Sequence, residues 1–488
     1  MTGKQDLANT SLVARILDLE RRTALLDPVA SERQVLMEKV GVHAQNFLGA
    51  LDTAPAYCDP ADGPAAISQW GIAEEGRNID EVLDLLAKHY DRSGVVPTSP
   101  RYMAYIPAGG LFHAALGDFL AAVTNPYAGM ITVAPSAARI ESDLVRWMGD
   151  IVGLPAGFAG TLTSGGSIAH LTAIVAARDA CDIEPDATAG VAVYKTSQTH
   201  HCIEKAMRIA GLKRVKIRQV AVDEGLRMRA DALEEMIVQD RRNFIRPWLV
   251  VGTAGTTNSG AVDPLAEIAA VCKRHGLWFH VDAAYGGMFA LCAEGRNILR
   301  GMELADTIVL DPHKGLFLPY GTGAVIARDG EKLWKSFADE ADYMKEPDGR
   351  FSASNLSPEL TRHFRGMRLW MSLQLGGVAS FRAALEEKLL LARHARERLK
   401  ALADFEVGPE PDLSVVTFRF LPSGIDAEKA NKELEQELKH GGKMFLSSTT
   451  IEGRRTLRLA ILSFRTHLHD VDCAIDEIAT VAEAIRLH

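Results

Sequence analysis

The chain has no apolar run long enough to cross a bilayer and no excess of positive charge. Its longest apolar stretch, residues 111–123, is interrupted by Asp118 and is shorter than the roughly 20 residues of a membrane helix. The formal net charge of −9 argues against nucleic acid and anionic membranes as partners. The first residues contain no apolar segment typical of a signal peptide. We therefore expect a cytoplasmic protein that binds neither nucleic acid nor membrane.

Cysteine is scarce, and no two cysteines form a C-x-x-C pair. The 6 cysteines are scattered along the chain, which is typical of a reducing compartment rather than of a disulfide framework. The grouping His200-His201-Cys202 suggests a metal, but three adjacent residues on a turn cannot converge on one ion. We expect no metal site.

Strand-like and helix-like segments alternate between residues 155 and 330. This alternation predicts an α/β fold with a mostly parallel sheet covered by helices. The predicted strands are Val191–Tyr194, Trp248–Gly252, Leu277–Val281, Thr307–Leu310 and Ala324–Ala327. The predicted helices between them include Ile168–Ala180, Ala230–Asp240 and Pro264–His275.

The two ends of the chain have different patterns. Residues 8–90 have apolar residues at helical spacing, interrupted by a predicted loop from Thr53 to Gly76. The first helix fits either an ordinary core helix or an arm that clasps a second subunit. A long helix, predicted over Glu359–Gln374, leads to a smaller α/β region near the C-terminus.

Two polar residues follow predicted strands in a way that indicates chemistry. Lys314 comes shortly after Thr307–Leu310, and Asp282 directly follows Val281. Ligands of parallel sheets bind at the carboxyl ends of strands. Burial lowers the pKa of a lysine and makes its amine a nucleophile, so we expect a lowered pKa for Lys314. A lone lysine here is more typical of a solvated loop, but a lysine with an aspartate is what pyridoxal phosphate requires of a protein.

Three further segments fit such a cofactor. Gly160–Ser167 precedes a helix and offers backbone N–H groups for a phosphate, although a glycine-rich helix start without a ligand has the same pattern. It is neither a G-x-G-x-x-G motif nor a P-loop, so nucleotide binding has no support. His200 follows a strand and can stack on a flat ring. The hydroxyls of Val251–Gly260 can reach a cofactor or form only a polar turn.

Five segments, in this order along the chain, resemble the pyridoxal phosphate-dependent group II amino-acid decarboxylases. They are Thr-Ser-Gly-Gly-Ser (163–167), Ser-Gln-Thr-His (197–200), Gly-Thr-Ala-Gly-Thr-Thr (252–257), His-Val-Asp-Ala-Ala-Tyr (280–285) and Asp-Pro-His-Lys (311–314). The resemblance covers roughly residues 75–485. It implies pyridoxal 5′-phosphate as cofactor and fold type I, similar to aspartate aminotransferase. The implied domains are a helical, dimer-clasping arm (1–95), a cofactor-binding large domain (96–378) and a small α/β domain (379–488).

The resemblance also implies the cofactor contacts. Lys314 binds the cofactor covalently, and Asp282 pairs with the pyridine nitrogen and keeps it protonated. His200 stacks on one face of the ring, and Ala284 lies against the other. The remaining contacts are to the phosphate and the ring oxygen, from Ser164, Gly165, Gly166, Ser167, His313 and Thr253.

A second group of residues is implied to act on the substrate. Tyr105, Ile106 and Pro107 form a wall of the substrate pocket across a dimer interface. Arg362 and Arg458 interact with the substrate carboxylate or a mobile loop. Tyr343 returns a proton to the α-carbon after CO₂ leaves.

The sequence thus predicts a homodimeric lyase that decarboxylates an L-amino acid to an amine and CO₂. An aromatic amino acid is the favoured substrate. One alternative is an aldehyde synthase, or another lyase or a transaminase using the same cofactor. The other is a dimer that has kept the fold without the activity. The set Lys314, Asp282 and His200 argues against the second alternative, and Tyr343 argues against an aldehyde synthase.

Overall fold

The computed structural model describes residues 2–60, 62–338 and 351–487, without the side chains of residues 2–11 and 185–187. The chain divides into two compact units. The first comprises Met1–Ala54 and Cys58–Val95, and the second comprises Pro55–Tyr57 and Val96–His488. None of the helices among the described residues combines the length and apolarity that a membrane crossing requires.

The first unit is helical, as its apolar spacing predicts. Asn78 begins its last helix by accepting a hydrogen bond from the Asp80 N–H (2.8 Å). The predicted loop Thr53–Gly76 is wrong in part because it contains a helix, whose first turn is favoured by a proline. The helices are α1 (Thr2–Thr23), α2 (Ala30–Gly49), α3 (Gly63–Trp70) and α4 (Ile79–His89).

The second unit contains the remaining helices. Those between the strands cover the large sheet, and the last ones belong to the C-terminal region. They are α5 (Phe112–Thr124), α6 (Pro135–Val152), α7 (Gly166–Ala180), α8 (Cys202–Ile209), α9 (Ala230–Arg242), α10 (Leu265–His275), α11 (Ala293–Ile298), α12 (Pro312–Gly315), α13 (Gly330–Phe337), α14 (Gly366–Lys400), α15 (Ala427–Gly441) and α16 (Leu468–Leu487).

Among the described residues the strands form a large sheet of seven strands, a smaller one of five and a two-stranded sheet made by the first two strands. They are β1 (Tyr57–Cys58), β2 (Gly94–Val95), β3 (Tyr102–Met103), β4 (Ala159–Thr163), β5 (Val191–Lys195), β6 (Lys216–Gln219), β7 (Arg246–Thr253), β8 (Trp278–Asp282), β9 (Thr307–Leu310), β10 (Gly323–Ala327), β11 (Phe405–Val407), β12 (Val415–Phe420), β13 (Phe445–Ile451) and β14 (Arg454–Ala460).

The large sheet confirms the predicted α/β class. Among the described residues its order is β4-β10-β9-β8-β7-β5-β6. The pairs from β6 to β9 are parallel, whereas β10 runs antiparallel to both β9 and β4. The carboxyl ends of β5, β7, β8 and β9 therefore lie along one edge of the sheet.

The smaller sheet has the order β11-β12-β14-β13-β3. Its first four strands come from the C-terminal region, and its last strand comes from residues that precede the large sheet. β3 pairs in parallel with β13, with Tyr102 opposite Phe445. Tyr102 and Phe445 also stack their rings at a centroid distance of 5.8 Å.

The long helix α14 begins later and ends much later than Glu359–Gln374, so its predicted bounds are wrong. Its start at Gly366 is set by tertiary structure, because the Gly366 N–H donates to a carboxylate oxygen of Glu141 (3.2 Å). The helix contains one break, at Gly377, whose φ of 68° favours glycine.

Candidate active site

A cavity of about 360 Å³ lies at the carboxyl edge of the large sheet. The loops that follow β4, β5, β7, β8 and β9 line it, because these loops all emerge at or beside the same edge. The structure brings all ten residues of the predicted cofactor set to this cavity. They are Ser164, Gly165, Gly166, Ser167, His200, Thr253, Asp282, Ala284, His313 and Lys314.

Lys314 lies on the short helix α12, directly after β9. Its Nζ is 3.0 Å from Oδ2 of the buried Asp311. Burial alone would lower the pKa of Lys314, but Asp311 and Asp282 raise it by more, so the pKa lies above its ordinary value. The expectation of a lowered pKa is wrong, because it neglected these two carboxylates. Lys314 is an ammonium here and must give up a proton before it can act as a nucleophile.

Asp282 is the last residue of β8 and is 6% exposed. Its Oδ1 lies 3.4 Å from Nε2 of His170 and accepts a hydrogen bond from the Ala284 N–H (3.2 Å). Burial would raise the pKa of Asp282, but His170, Lys314 and the Ala284 N–H hold it well below its usual range. Asp282 is therefore a buried carboxylate that stays ionised and can pair with a cation.

The glycine-rich loop ends where α7 begins. Gly165 has φ of 145°, which a residue with a side chain rarely adopts. A Cβ at Gly166 would lie 2.9 Å from Oδ2 of Asp311, so a larger residue here would require this carboxylate to shift. The first N–H groups of a helix have no partner within the helix and attract anions. The start of α7 therefore provides a place for a phosphate.

Two neutral imidazoles face the cavity. Burial lowers the pKa of His200 to about 4, and Nδ1 of His200 accepts a hydrogen bond from the Cys202 N–H (3.3 Å). Burial also lowers the pKa of His313, whose Nδ1–H donates to the Thr322 carbonyl (2.6 Å). Uncharged rings of this kind can stack on a flat cofactor or accept a hydrogen bond.

Thr253 ends β7 directly opposite Asp282 in the sheet register. Its backbone N–H donates to the Asp263 carboxylate (2.8 Å), which fixes the end of the strand. Its side-chain oxygen is buried and has no hydrogen-bond partner among the described residues. Buried polar groups are normally satisfied. Because Thr253 also lines the cavity, its hydroxyl is available to a polar group of a ligand.

These side chains fit pyridoxal phosphate. The helix start suits its phosphate, Asp282 its pyridine nitrogen, the Thr253 hydroxyl its ring oxygen and Lys314 its aldehyde. Together with the mostly parallel sheet they define a pyridoxal phosphate-dependent enzyme of fold type I.

Comparison with known proteins narrows this class. The conserved domain of pyridoxal-dependent decarboxylases matches residues 76–421. The aromatic-L-amino-acid decarboxylase of Bacillus atrophaeus is 33% identical over 427 residues, which are 85% of this chain and 88% of that protein. The phenylacetaldehyde synthase of Arabidopsis thaliana is 28% identical over 408 residues, which are 78% of this chain and 82% of that protein. The solved structure of Oryza sativa TDC with PLP and tryptamine matches with a TM-score of 0.88 at 26% identity, covering 94% of this chain and 99% of that one.

The chain belongs to the pyridoxal-dependent decarboxylase family. This membership confirms the predicted fold type, the cofactor and the amino-acid decarboxylase activity.

Five of the predicted substrate residues are described, and none of them lines the cavity of its own chain. Tyr105 has a left-handed backbone (φ 52°) and is 58% exposed, while Ile106 and Pro107 are buried. Arg458 is buried and donates to the Tyr105 carbonyl (2.5 Å) and to another protein oxygen. Arg362 is buried against the Glu141 carboxylate. Tyr343 lies outside the described residues.

The structure argues against the expected contact of Arg362 with the substrate carboxylate, whereas its alternative, a contact with the loop around Tyr343, falls outside the described residues. Its guanidinium is engaged by Glu141, by the Thr161 hydroxyl (2.9 Å) and by the Leu162 carbonyl (2.5 Å). Only its Nε has no hydrogen-bond partner among the described residues, and with 1% of the side chain exposed the guanidinium is not open to the cavity.

Further side chains line the cavity without a role assigned from the sequence, among them His170, Cys202, Asp311 and Tyr320. The only signal for His170 was a titratable residue within the alanine-rich, apolar helix Ile168–Ala180. His170, Cys202 and Asp282 place one potential metal ligand each within 4.8 Å of one another. Cys202 thus meets residues of two other elements rather than its neighbour His201. We assign no metal to this group, because the hydrogen bond between His170 and Asp282 accounts for its closeness.

Proposed function

We propose that the protein decarboxylates an aromatic L-amino acid to the corresponding amine and CO₂. The observation that carries this proposal is the meeting of Lys314, the ionised Asp282 and the unsatisfied Thr253 hydroxyl around one cavity. The choice of an aromatic substrate is supported by the name of the Bacillus atrophaeus relative and by the tryptamine in the Oryza sativa structure.

Pyridoxal phosphate supplies an electron sink for the electrons of the broken bond between the α-carbon and the carboxylate. Lys314 would hold the cofactor through its aldehyde. Asp282 would neutralise the positive charge of the ring nitrogen and thereby strengthen the sink. His200 and Ala284 would hold the ring between them, and the start of α7 would hold the phosphate with help from His313.

Arg458 fixes the Tyr105 backbone by donating a hydrogen bond to its carbonyl. Tyr343 returns a proton to the α-carbon after CO₂ leaves. The role of Tyr343 rests on the resemblance of Ala-Asp-Tyr-Met-Lys to the mobile-loop segment of group II decarboxylases. A positioned phenol is a suitable general acid for such a step.

The protein acts as a homodimer in the cytoplasm. The exposed apolar residues of α1 and α2 support the homodimer, because free monomers rarely expose such continuous apolar faces. Leu12, Ile16 and Leu19 of α1 are 54%, 45% and 46% exposed within the chain. In the dimer, Tyr105, Ile106 and Pro107 complete the substrate pocket of the neighbouring subunit. Sedimentation at assay concentration should give the mass of a dimer, and an active monomer would refute this part of the proposal.

An aldehyde synthase is the second candidate, because a phenylacetaldehyde synthase is 28% identical to this chain. Such an enzyme would consume O₂ and release peroxide and ammonia instead of leaving the amine. Tyr343 favours the decarboxylase, since an enzyme that returns the proton promptly leaves less time for a reaction with O₂.

The test is a product screen of the holoenzyme against the common L-amino acids. We expect CO₂ and amine in equal amounts for one or more aromatic substrates, with little aldehyde or peroxide. Borohydride reduction should fix the cofactor to the peptide that contains Lys314. Equal amounts of aldehyde and peroxide would favour the second candidate, and a labelled peptide without Lys314 would refute the assignment.

Asp282→Asn tests the role of the carboxylate. The variant should keep the fold and bind the cofactor, but kcat should fall about 100-fold or more, as when a charge-stabilising group is removed from an active site. Asp240→Asn is the matched control, because Asp240 is equally buried but pairs with Arg218 outside the cavity. Similar turnover of the two variants would contradict the role of Asp282.

A further inference from the structure

A chain of buried hydrogen bonds runs behind Asp282. The indole N–H of Trp278 donates to the Thr307 hydroxyl (3.0 Å), and that hydroxyl lies 2.9 Å from Nδ1 of His280. Nε2 of His280 lies 3.0 Å from Nδ1 of His170, and Nε2 of His170 lies 3.4 Å from Oδ1 of Asp282. All five residues are at most 6% exposed, so these contacts lie in the protein interior.

The two ends of this chain fix its direction. An indole N–H can only donate, and an ionised carboxylate can only accept. Nε2 of His170 must therefore carry a proton and donate it to Asp282. When His170 is neutral, its Nδ1 accepts from Nε2–H of His280, and the Thr307 hydroxyl donates to Nδ1 of His280.

His170 can also gain a second proton without losing this arrangement. Its Nδ1–H then donates to Nε2 of His280, and the proton of His280 moves to Nδ1 and is donated to the Thr307 oxygen. The hydroxyl oxygen accepts this bond beside the one from Trp278, since it has two lone pairs. In both states Nε2–H of His170 continues to donate to Asp282.

We propose that His170 is the positioning residue that holds Asp282 in the orientation and ionisation state needed to pair with the cofactor's ring nitrogen. This inference rests on the proposed role of Asp282 and adds the group that stands behind it. At metal sites, residues that hydrogen-bond to the ligating side chains commonly have strong effects on the affinity for the metal. We expect the same of a residue that hydrogen-bonds to a side chain in contact with a cofactor.

The electrostatic surroundings of His170 agree with this role. It faces the thiol of Cys202 on α8 and the side chains of His280 and Asp282 on β8, and it interacts electrostatically with His200. Of these groups, Asp282 is the anion. Burial lowers the pKa of His170 and Asp282 raises it by more, while His170 in turn lowers the pKa of Asp282.

The test compares two cofactors that differ at the ring nitrogen. Dissociation constants are measured for pyridoxal phosphate and for its 1-deaza analogue, in which a C–H group replaces this nitrogen. Both compounds attach to Lys314 through the same aldehyde, so a change in the ratio of their dissociation constants between variants reports on the ring nitrogen. We expect the wild-type protein to prefer pyridoxal phosphate.

His170→Leu removes the donor, so the affinity for pyridoxal phosphate should fall about 10- to 100-fold, the range of hydrogen bonds to charged groups. The affinity for the deaza analogue should stay the same. His170→Gln keeps an N–H donor and should retain most of the preference. If the His170→Leu variant does not fold, His170→Ala is used in its place. His394→Gln is the matched control, because His394 pairs with Asp472 (2.7 Å) outside the cavity, and it should change neither constant.

Two results would overturn the role of His170 alone. One is a leucine or alanine variant that keeps the wild-type preference for pyridoxal phosphate. The other is an equal loss of affinity for both compounds, since that would indicate a packing role. A wild-type protein that binds both compounds equally would instead refute the pairing of Asp282 with the ring nitrogen, and the role of His170 with it.

Discussion

Removing the guanidinium of Arg362 should destabilise the protein rather than weaken substrate binding. In Arg362→Met, Glu141 keeps its hydrogen bond from the Gly366 N–H but loses its cationic partner in a site where both side chains are at most 4% exposed. Breaking a buried ion pair by removing one partner costs about 3–5 kcal/mol. Unfolding entropy of about 2.1 cal/mol/K per residue gives about 1 kcal/mol/K for the 488 residues, so the melting temperature should fall by about 3–5 °C.

The loss should depend on pH. Burial raises the pKa of Glu141 although Arg362 lowers it, and without Arg362 the pKa rises further. A carboxyl group with a raised pKa in the folded state favours folding at low pH, and this contribution is lost as the pH rises through that pKa. The difference in melting temperature between Arg362→Met and the wild type should therefore be largest near neutral pH and smaller in mildly acidic buffer.

Two further variants isolate the ion pair. Glu141→Gln combined with Arg362→Met removes both charges and should recover most of the lost stability. Arg274→Met breaks an exposed pair with Glu234 and should shift the melting temperature by no more than about 1 °C. Arg362→Met with an unchanged melting temperature and a raised KM would refute this reasoning and return Arg362 to the substrate site.

Two other variants test the cavity and the proton donor. In Thr253→Val, the cofactor-free protein should melt no lower than the wild type, because the hydroxyl has no partner in the described part of the chain, while the dissociation constant for pyridoxal phosphate should rise about 5- to 10-fold. A lower melting temperature without a change in affinity would contradict a ligand contact. Tyr343→Phe should still release CO₂ but make less amine and more aldehyde, ammonia and peroxide, as measured side by side with the wild type. An unchanged amine yield would show that the proton comes from another group.

The sequence predicted the cavity residues that stand next to a strand end, and the reason is geometric. Asp282, Thr253 and His200 end or follow parallel strands, and such ends meet at one edge of the sheet. Their chemical types then indicated the cofactor. The family resemblance supplied what spacing alone left open, since the glycine-rich helix start also fits a site without a ligand.

Residues whose partners lie far away in the chain were not predictable in this way. The partner of Arg362 is Glu141 on α6, and the same carboxylate sets the start of α14. The raised pKa of Lys314 depends on how closely two carboxylates approach its amine. These properties arise from tertiary packing, which a single sequence does not display.

The helix α14 has a mechanical consequence for the second unit. Beyond its break at Gly377, its residues Phe381, Leu385 and Leu389 pack in the core beneath the large sheet, and Leu391 and Leu399 pack in the core of the smaller sheet. No second break separates these two groups of residues, so the helix acts as a stiff rod shared by both cores. Tilting one core against the other would require bending this rod. The helix therefore couples the two cores and resists a tilt of one against the other.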